Sequence, residues 1–354
     1  MFARQSLVTT LSSTFRQTPG QSLISVLIFG VILYVLYRFA AWGLWDATFE
    51  NNLAVCRAGS GACWGFVEEK WRVIVFGRFP YEEQWRAAIA TVVVCTMTIV
   101  SAVPLFWRRS LYLIAGWVLS LACFFILMYG GIFGLKPIDT DLWGGLPLTV
   151  VLTVFGMSAS TPIGILLAFG RRSEMPLIRL LSSGYIELVR GVPLITVLFV
   201  ATYIFPMILP QGFSMSAFWR VVLGIVLFQA AYMAETVRGG LQTIPSGQTE
   251  AALSLGMSYW QTNRLVVLPQ ALLCIIPAFV NSLLSTFMDT SLVTVVSMYD
   301  LTGALRLALG DPLWRSYFIE GYFFVAAIYF VASLSMSRYS LWLEKRLNPH
   351  RHER

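Results

Sequence analysis

An all-α membrane protein with about eight transmembrane helices is the fold class this sequence predicts, from three observations. Of its 354 residues, 57% are hydrophobic and only 12% are charged, roughly half the charged share of a soluble domain. Apolar runs long enough to cross a bilayer, about twenty residues each, recur along the chain. Lys and Arg gather in alternate connections between those runs, as the positive-inside rule requires. The formal charge of +7 therefore belongs to membrane topology, and a nucleic-acid partner is not expected.

The runs fall at 22–41, 87–107, 112–133, 146–170, 188–209, 217–238, 266–288 and 319–341. The first follows a basic N-terminus without a clear cleavage site, so it reads as a span and not as a removable signal. An external loop, 42–86, comes next and contains CRAGSGAC. In an oxidising compartment Cys56 and Cys63 have the spacing to close a disulfide; two free thiols packed on the membrane surface are the other reading. Cys95, Cys123 and Cys274 lie within apolar runs and read as small hydrophobes. KPIDTDLWGGLP is the natural joint between an N-terminal part, 1–135, and a second part, 136–354. In the second part Pro193 and Pro206 interrupt the fifth run, and Pro277 and Asn281 the seventh. Such breaks persist where a cavity or a neighbouring helix satisfies the freed backbone.

An even number of spans puts both termini on one side. Assigning that side to the cytoplasm places Arg4, Arg16, Arg108, Arg109, Arg171, Arg172, Arg179, Arg190, Arg238, Arg264 and the basic tail there. Acids such as Asp46, Glu50, Glu68, Glu82, Asp139 and Asp311 then balance the outer side.

No motif of an enzyme is present. G-x-x-x-x-G-K-[ST], G-x-S-x-G and H-E-x-x-H are all missing, and both His lie in the C-terminal tail. The chain is expected to bind no cofactor or metal, so any ATP must sit on another polypeptide.

Two stretches carry the remaining signal. YIELVRG and YMAETVRGG both contain Glu-x-x-Arg-Gly, which puts Glu187 three residues from Arg190 and Glu235 three from Arg238. Residues three apart share a helix face and can pair, either as anchors at span ends or as the lining of an inner mouth. Between the sixth and seventh runs lies EAALSLGMSYWQTNRLVVLP, a short, polar, helix-prone segment. Pro245 and Ser246 mark its start, and Glu250 is expected in the first turn, where it suits the helix dipole. Ala251, Ala252 and Leu255 give a compact surface, and Gly256 ends the helix in a left-handed conformation. A second short helix, about 258–268, is expected to stop at Pro269. By itself the pattern fits an interfacial amphipathic helix or a lever that a partner grips.

The order Glu250-Ala251-Ala252, then Gly256, then Pro269 resembles the EAA loop of membrane subunits of bacterial ABC importers. AETVRGGLQTIPSGQTEAALSLGMS, LPQAL, PAFVNSLLSTFMDTSLVTVV and YIELVRGVPL resemble the polar amino-acid permease group, the family of histidine, glutamine and arginine importers, over about 145–345. GSGACWGFVEEKWRVIVFG and PYEEQWR resemble the larger membrane subunit of general L-amino-acid transporters and the related glutamate/glutamine/aspartate/asparagine systems.

The resemblance implies a type I ABC importer permease core of five helices preceded by three more, in a bacterial inner membrane. It implies a cytoplasmic coupling loop at about 240–268, with Glu250, Ala251, Ala252, Leu255 and Gly256 docking on an ABC ATPase dimer that binds ATP and Mg. A periplasmic amino-acid-binding protein would deliver the substrate. Asn281, Asp289, Thr290 and Ser291 are the expected substrate-pathway residues. Where relatives read Asn-Glu and Lys-Asp-Thr-Ser-Leu, this chain has Asn281-Ser282 and Met288-Asp289-Thr290-Ser291-Leu292. The missing charges imply a heterodimer in which a paralogous permease carries the fuller site. An ATP-independent secondary transporter or channel is the alternative, and a scaffold or sensor a third reading. A coupled carrier needs intramembrane acids, and the spans hold very few.

Overall fold

A computed structural model describes residues 19–208, 210 and 214–347, leaving the side chains of 19 and 108–110 aside. Arg4, Arg16, the tail beyond 347 and the side chains of Arg108 and Arg109 lie outside this description, so their assigned side of the membrane has no structural counterpart.

Seven helices among the described residues are long and apolar enough to cross a membrane, or eight if one bent pair counts as a span. In chain order the helices are α1 (Pro19–Ala40), α2 (Leu53–Ala58), α3 (Gly65–Phe76), α4 (Gln84–Ala102), α5 (Ser110–Tyr129), α6 (Gly145–Arg171) and α7 (Pro176–Arg190). They continue as α8 (Leu194–Phe199), α9 (Phe205–Ile208), α10 (Ala217–Gln242), α11 (Ser246–Ser254), α12 (Tyr259–Thr262), α13 (Leu268–Asp289), α14 (Leu301–Ala308) and α15 (Phe318–Leu347). Tyr299–Asp300 forms a two-residue strand, β1, bridged in parallel to Gly144 and Gly145.

The chain divides into two compact units: residues 19–69 with Pro312–Gly321, and Lys70–Asp311 with 322–347. This division differs from the expected boundary at 135, because α4 and α5 pack within the second unit. In the first unit, α1 exposes apolar side chains on every face, which suits lipid and not water. The loop after it is more ordered than its sequence indicates. Asn52 caps α2, Cys56 and Cys63 are joined in a disulfide, and Cys63 N–H donates to the buried Glu320 carboxylate at 2.8 Å.

In the second unit, α6 and α10 are the most buried long helices and form its centre. Without a hydrophobic drive between helices in lipid, small residues at contacts allow close packing. Gly164 is one such residue: a Cβ there would meet Met233 Cβ at 2.7 Å. An aromatic cluster ties α5 to this centre, with Trp143 4.9 Å from Phe218 and 4.7 Å from Tyr129, centroid to centroid. Trp219 Nε1 donates to Tyr129 Oη at 3.0 Å. Arg86, fully buried on α4, donates to the carbonyls of Leu127 and Lys136 at 2.8 and 3.0 Å. It thereby satisfies backbone at the end of α5, where helix carbonyls have no intrahelical donor.

Of the expected breaks, those at Pro193 and Pro206 are present, and two expectations are corrected. Pro277 and Asn281 do not interrupt the seventh run, since α13 continues through both from Leu268 to Asp289. Pro206 has no N–H to donate to the Thr202 carbonyl; a π-turn at Val200–Ile204 accommodates the break, and Arg220 donates to that carbonyl at 2.9 Å. Pro193 sits in a real interruption, where α7 and the α8–α9 segment are bent by 106°. Pro269, however, does not stop a helix. It lies in the first turn of α13, where a missing N–H costs little, and a π-turn at Asn263–Val267 runs α12 into α13.

Candidate functional site

The elbow between α7 and α8 is the centre of the site. Arg190 ends α7, and Gly191, Val192 and Pro193 leave the helix before Leu194 begins α8. This non-helical backbone borders a cleft of about 760 Å³. Phe228, Gln229 and Tyr232 of α10 form another wall, and Asn281, Ser282, Ser285 and Asp289 of α13 form a third. Irregular backbone interrupting a span is tolerated where it lines a cavity, and broken helices with polar side chains are how many transporters build a site. A cation, Arg190, and a carboxylate, Asp289, share the cleft with amides and hydroxyls.

Of the residues expected in the pathway, Asn281 and Asp289 line this cleft. Thr290 and Ser291 do not. Thr290 is buried with its hydroxyl on the Phe287 carbonyl at 2.8 Å, and Ser291 Oγ donates to the Met288 carbonyl at 2.9 Å. Both hydroxyls serve the end of their own helix, where carbonyls have no intrahelical donor.

Beside the elbow, ionic side chains of α6, α7 and α10 converge. Glu235 accepts from Arg238 at 2.8 and 3.0 Å and from Arg171 at 2.8 Å, with Arg190 at 3.5 Å. Arg171 also reaches Glu187 at 3.0 Å. The Glu235–Arg238 pair is therefore the one its spacing predicts. The expected pairing of Glu187 with Arg190 is replaced: each reaches across to another helix, because Arg171 and Glu235 lie nearer in space than the neighbour along the chain. Arg190 thus belongs to two structures, the ionic cluster and the cleft. It also lies 5.6 Å from the centre of the Tyr232 ring, within cation–π range.

At the same end of this unit, α11 and α12 form the connection from α10 to α13. Gly256 has φ +78°, a left-handed conformation that costs side-chain-bearing residues energy. Its N–H donates to the Leu253 carbonyl at 2.9 Å and the Met257 N–H to the Ala252 carbonyl at 3.2 Å, closing the helix. Ser258 and Gln261 then form a reciprocal capping box that starts α12. Two expectations change. Because α11 starts at Ser246, Glu250 is past the first turn and outside the reach of the N-terminal dipole. Ala252 is buried at 3% exposure, where its small side chain packs internally, whereas Leu255, at 83%, is open.

Residues 160–349 match the family described as binding-protein-dependent transport system inner membrane component. The chain belongs to this family. The permease is 43% identical over 314 residues to the inner membrane amino-acid ABC transporter permease protein YhdY of Escherichia coli, covering 88% of this chain and 84% of that one. It is 36% identical over 390 aligned positions to the glutamate/glutamine/aspartate/asparagine transport system permease protein BztC of Rhodobacter capsulatus, covering 90% and 89%. A crystal structure of an amino acid ABC transporter with histidines superposes with a TM-score of 0.51 at 32% identity, over 57% of this permease and 92% of that chain. The fold is that of type I ABC importer permeases. As a permease of this kind it is a multi-pass membrane subunit that works with a separate ATPase and a binding protein, and is not itself an enzyme.

Arg171, Gln229, Tyr232 and Ser285 were not singled out from the sequence. Tyr232 did stand at the head of the repeated motif, but only the fold shows that it faces α13 across a cleft.

Proposed function

We propose that the permease imports polar L-amino acids across a bacterial inner membrane, with both termini in the cytoplasm. A periplasmic binding protein delivers the substrate, and ATP and Mg act on the partner ATPase. The observation that carries this reading is the cleft at the α7–α8 elbow, where Arg190 and Asp289 offer opposite charges beside Asn281, Ser282 and Ser285. A zwitterion needs a donor for its carboxylate and an acceptor for its ammonium, and both are here. Arg190 shares its guanidinium with Glu235, so binding a carboxylate at the cleft competes with the ionic cluster. That competition links substrate occupancy to the packing of α6, α7 and α10.

The lever is α11. Ala251, Leu255 and Gly256, with Glu250 as an exposed charge at the helix edge, meet the ATPase; closure of the ATPase dimer then moves α10 and α13 through this short connection. The second permease of the pair is a paralogue, since Ser282 and Met288 stand where relatives carry charges. Uptake of labelled amino acids by the reconstituted transporter tests the reading. Asp289→Asn is expected to weaken transport roughly tenfold, about the worth of one charge-assisted hydrogen bond, while the complex still assembles. Undiminished uptake by that variant would remove the cleft from the pathway. A stable homodimer of this chain that binds substrate without a sister subunit would remove the heterodimer.

A further inference from the structure

Arg220 is a charge within a membrane span that no acid answers. It stands at the end of the first turn of α10 and is half-buried. Its Nη1 donates to the Thr202 carbonyl at 2.9 Å, which satisfies backbone but leaves the positive charge whole. Among the described residues no carboxylate pairs with it. The other end of the same helix is different, because there Glu235 offsets part of the charge of Arg171, Arg190 and Arg238.

Depth makes the contrast matter. From Arg220 to Glu235 the helix rises about 22 Å at 1.5 Å per residue, less than the roughly 30 Å of the hydrocarbon core. The two charged levels cannot both lie clear of the hydrocarbon. The Glu235 level carries its own counter-charges; Arg220 must draw one from its surroundings, since an unpaired charge at the edge of the hydrocarbon is costly.

The surface below Arg220 shows what surrounds it. Leu223 and Leu227, three and seven residues further on, share its side of α10; the first is half-buried and the second exposed. The α8–α9 segment packs beside them, where a Cβ on Gly224 would meet Ala201 Cβ at 3.1 Å, and it exposes Phe199, Tyr203 and Ile204. A cation at the end of a span with an apolar stripe running inward from it has the order of a phospholipid, headgroup first and chain after.

We infer that Arg220 binds the phosphate of an anionic phospholipid, whose acyl chain lies along the Leu223–Leu227 stripe. Arg220 Nε is buried, so the contact falls to the terminal nitrogens, in the fork geometry that suits phosphate oxygens. A zwitterionic headgroup fits less well, because its own ammonium brings a second cation to Arg220. The lipid supplies the missing counter-charge and holds the α8–α9 segment, with its π-turn, against α10. With the orientation proposed above, the site is in the outer leaflet.

The complete transporter, exchanged into mixtures of phosphatidylcholine and phosphatidylglycerol, tests this by native mass spectrometry of the lipids it retains. Wild type and Arg220→Lys are expected to keep one more phosphatidylglycerol per copy of this chain than Arg220→Gln. Arg220→Gln needs roughly fivefold more of that lipid to fill the site, about the worth of one basic residue at an anionic surface. Its amide still donates to the Thr202 carbonyl, so a role limited to that backbone group predicts no difference. Equal retention by wild type and Arg220→Gln overturns the inference. So does a wild type that keeps phosphatidylcholine as readily as phosphatidylglycerol, a result that needs no variant. A disulfide crosslink from Leu227→Cys to the sister permease would assign the stripe to protein and overturn it as well.

Discussion

Asp300 is a carboxylate with no solvent exposure, and its neighbours explain how it is tolerated. Gly303 N–H, Thr302 N–H, the Thr294 hydroxyl and the Tyr329 hydroxyl all donate to it, between 2.9 and 3.2 Å. It caps α14 and holds the segment after α13 against α15. Removing an N-cap costs about 1 kcal/mol and leaving buried donors unpaired costs about 1–3 kcal/mol more. Asp300→Ala is therefore expected to lower the thermal unfolding midpoint of the purified permease clearly, while Asp289→Asn, at the wall of an open cleft, shifts it little. Equal midpoints for the two variants would contradict this contrast. Glu235 tests the ionic cluster in the same way. Glu235→Gln leaves Arg171, Arg190 and Arg238 facing one another without their shared carboxylate, so assembly yield is expected to fall, and more so at low salt, where repulsion is least screened. At this scale the sequence was legible where a partner is close along the chain, as for Glu235 and Arg238. It was not legible for Glu187 and Arg190, because a three-residue spacing permits a pair without excluding a nearer partner on another helix.

Single helices were readable when the signal was local. The left-handed Gly256 at the end of α11 follows from the residue type and the short helix before it, and the structure has φ +78° there. Gly256→Asp is expected to strain the turn by about 1 kcal/mol or more, distort the connection and abolish uptake while membrane insertion persists; normal uptake would detach α11 from coupling. Seven of the eight expected spans lie close to their places among the described residues, since twenty apolar residues in a row need no tertiary information. The misses have physical reasons. Pro269 was read as a stop, although proline in a first turn is harmless and the π-turn before it keeps the helix continuous. The fifth run, at 188–209, merged two elements. Its α7 part is a separate helix with one apolar face and one charged face, which a search for uniformly apolar spans passes over. Within the loop at 42–86, Leu53–Ala58 and Gly65–Phe76 are helical; the sequence alone assigns no elements there, because short amphipathic helices carry a weak pattern beside long apolar ones. Close contact explains Gly164, where Gly164→Leu is expected to separate α6 from α10 and prevent stable expression, read as loss of the monodisperse peak on size exclusion.

For the whole molecule, family membership and the membrane class were legible because they rest on ordered motifs and composition. The cleft that Arg190 and Asp289 share was not, since those residues are far apart in sequence and line one cleft only because α7 and the α8–α9 segment are bent by 106° and α13 supplies a further wall. The central claim is that α11, between α10 and α13, is gripped in the cytoplasm by the ATPase subunit. The most direct measurement places a cysteine at exposed Leu255 (Leu255→Cys) in a background with Cys95, Cys123 and Cys274 replaced, and a second cysteine in the docking groove of the ATPase. A crosslink that forms in inside-out vesicles, with protection of the thiol from impermeant reagents in intact cells, is the predicted result. Labelling of that thiol from outside intact cells, or no crosslink to any groove position, would contradict the account.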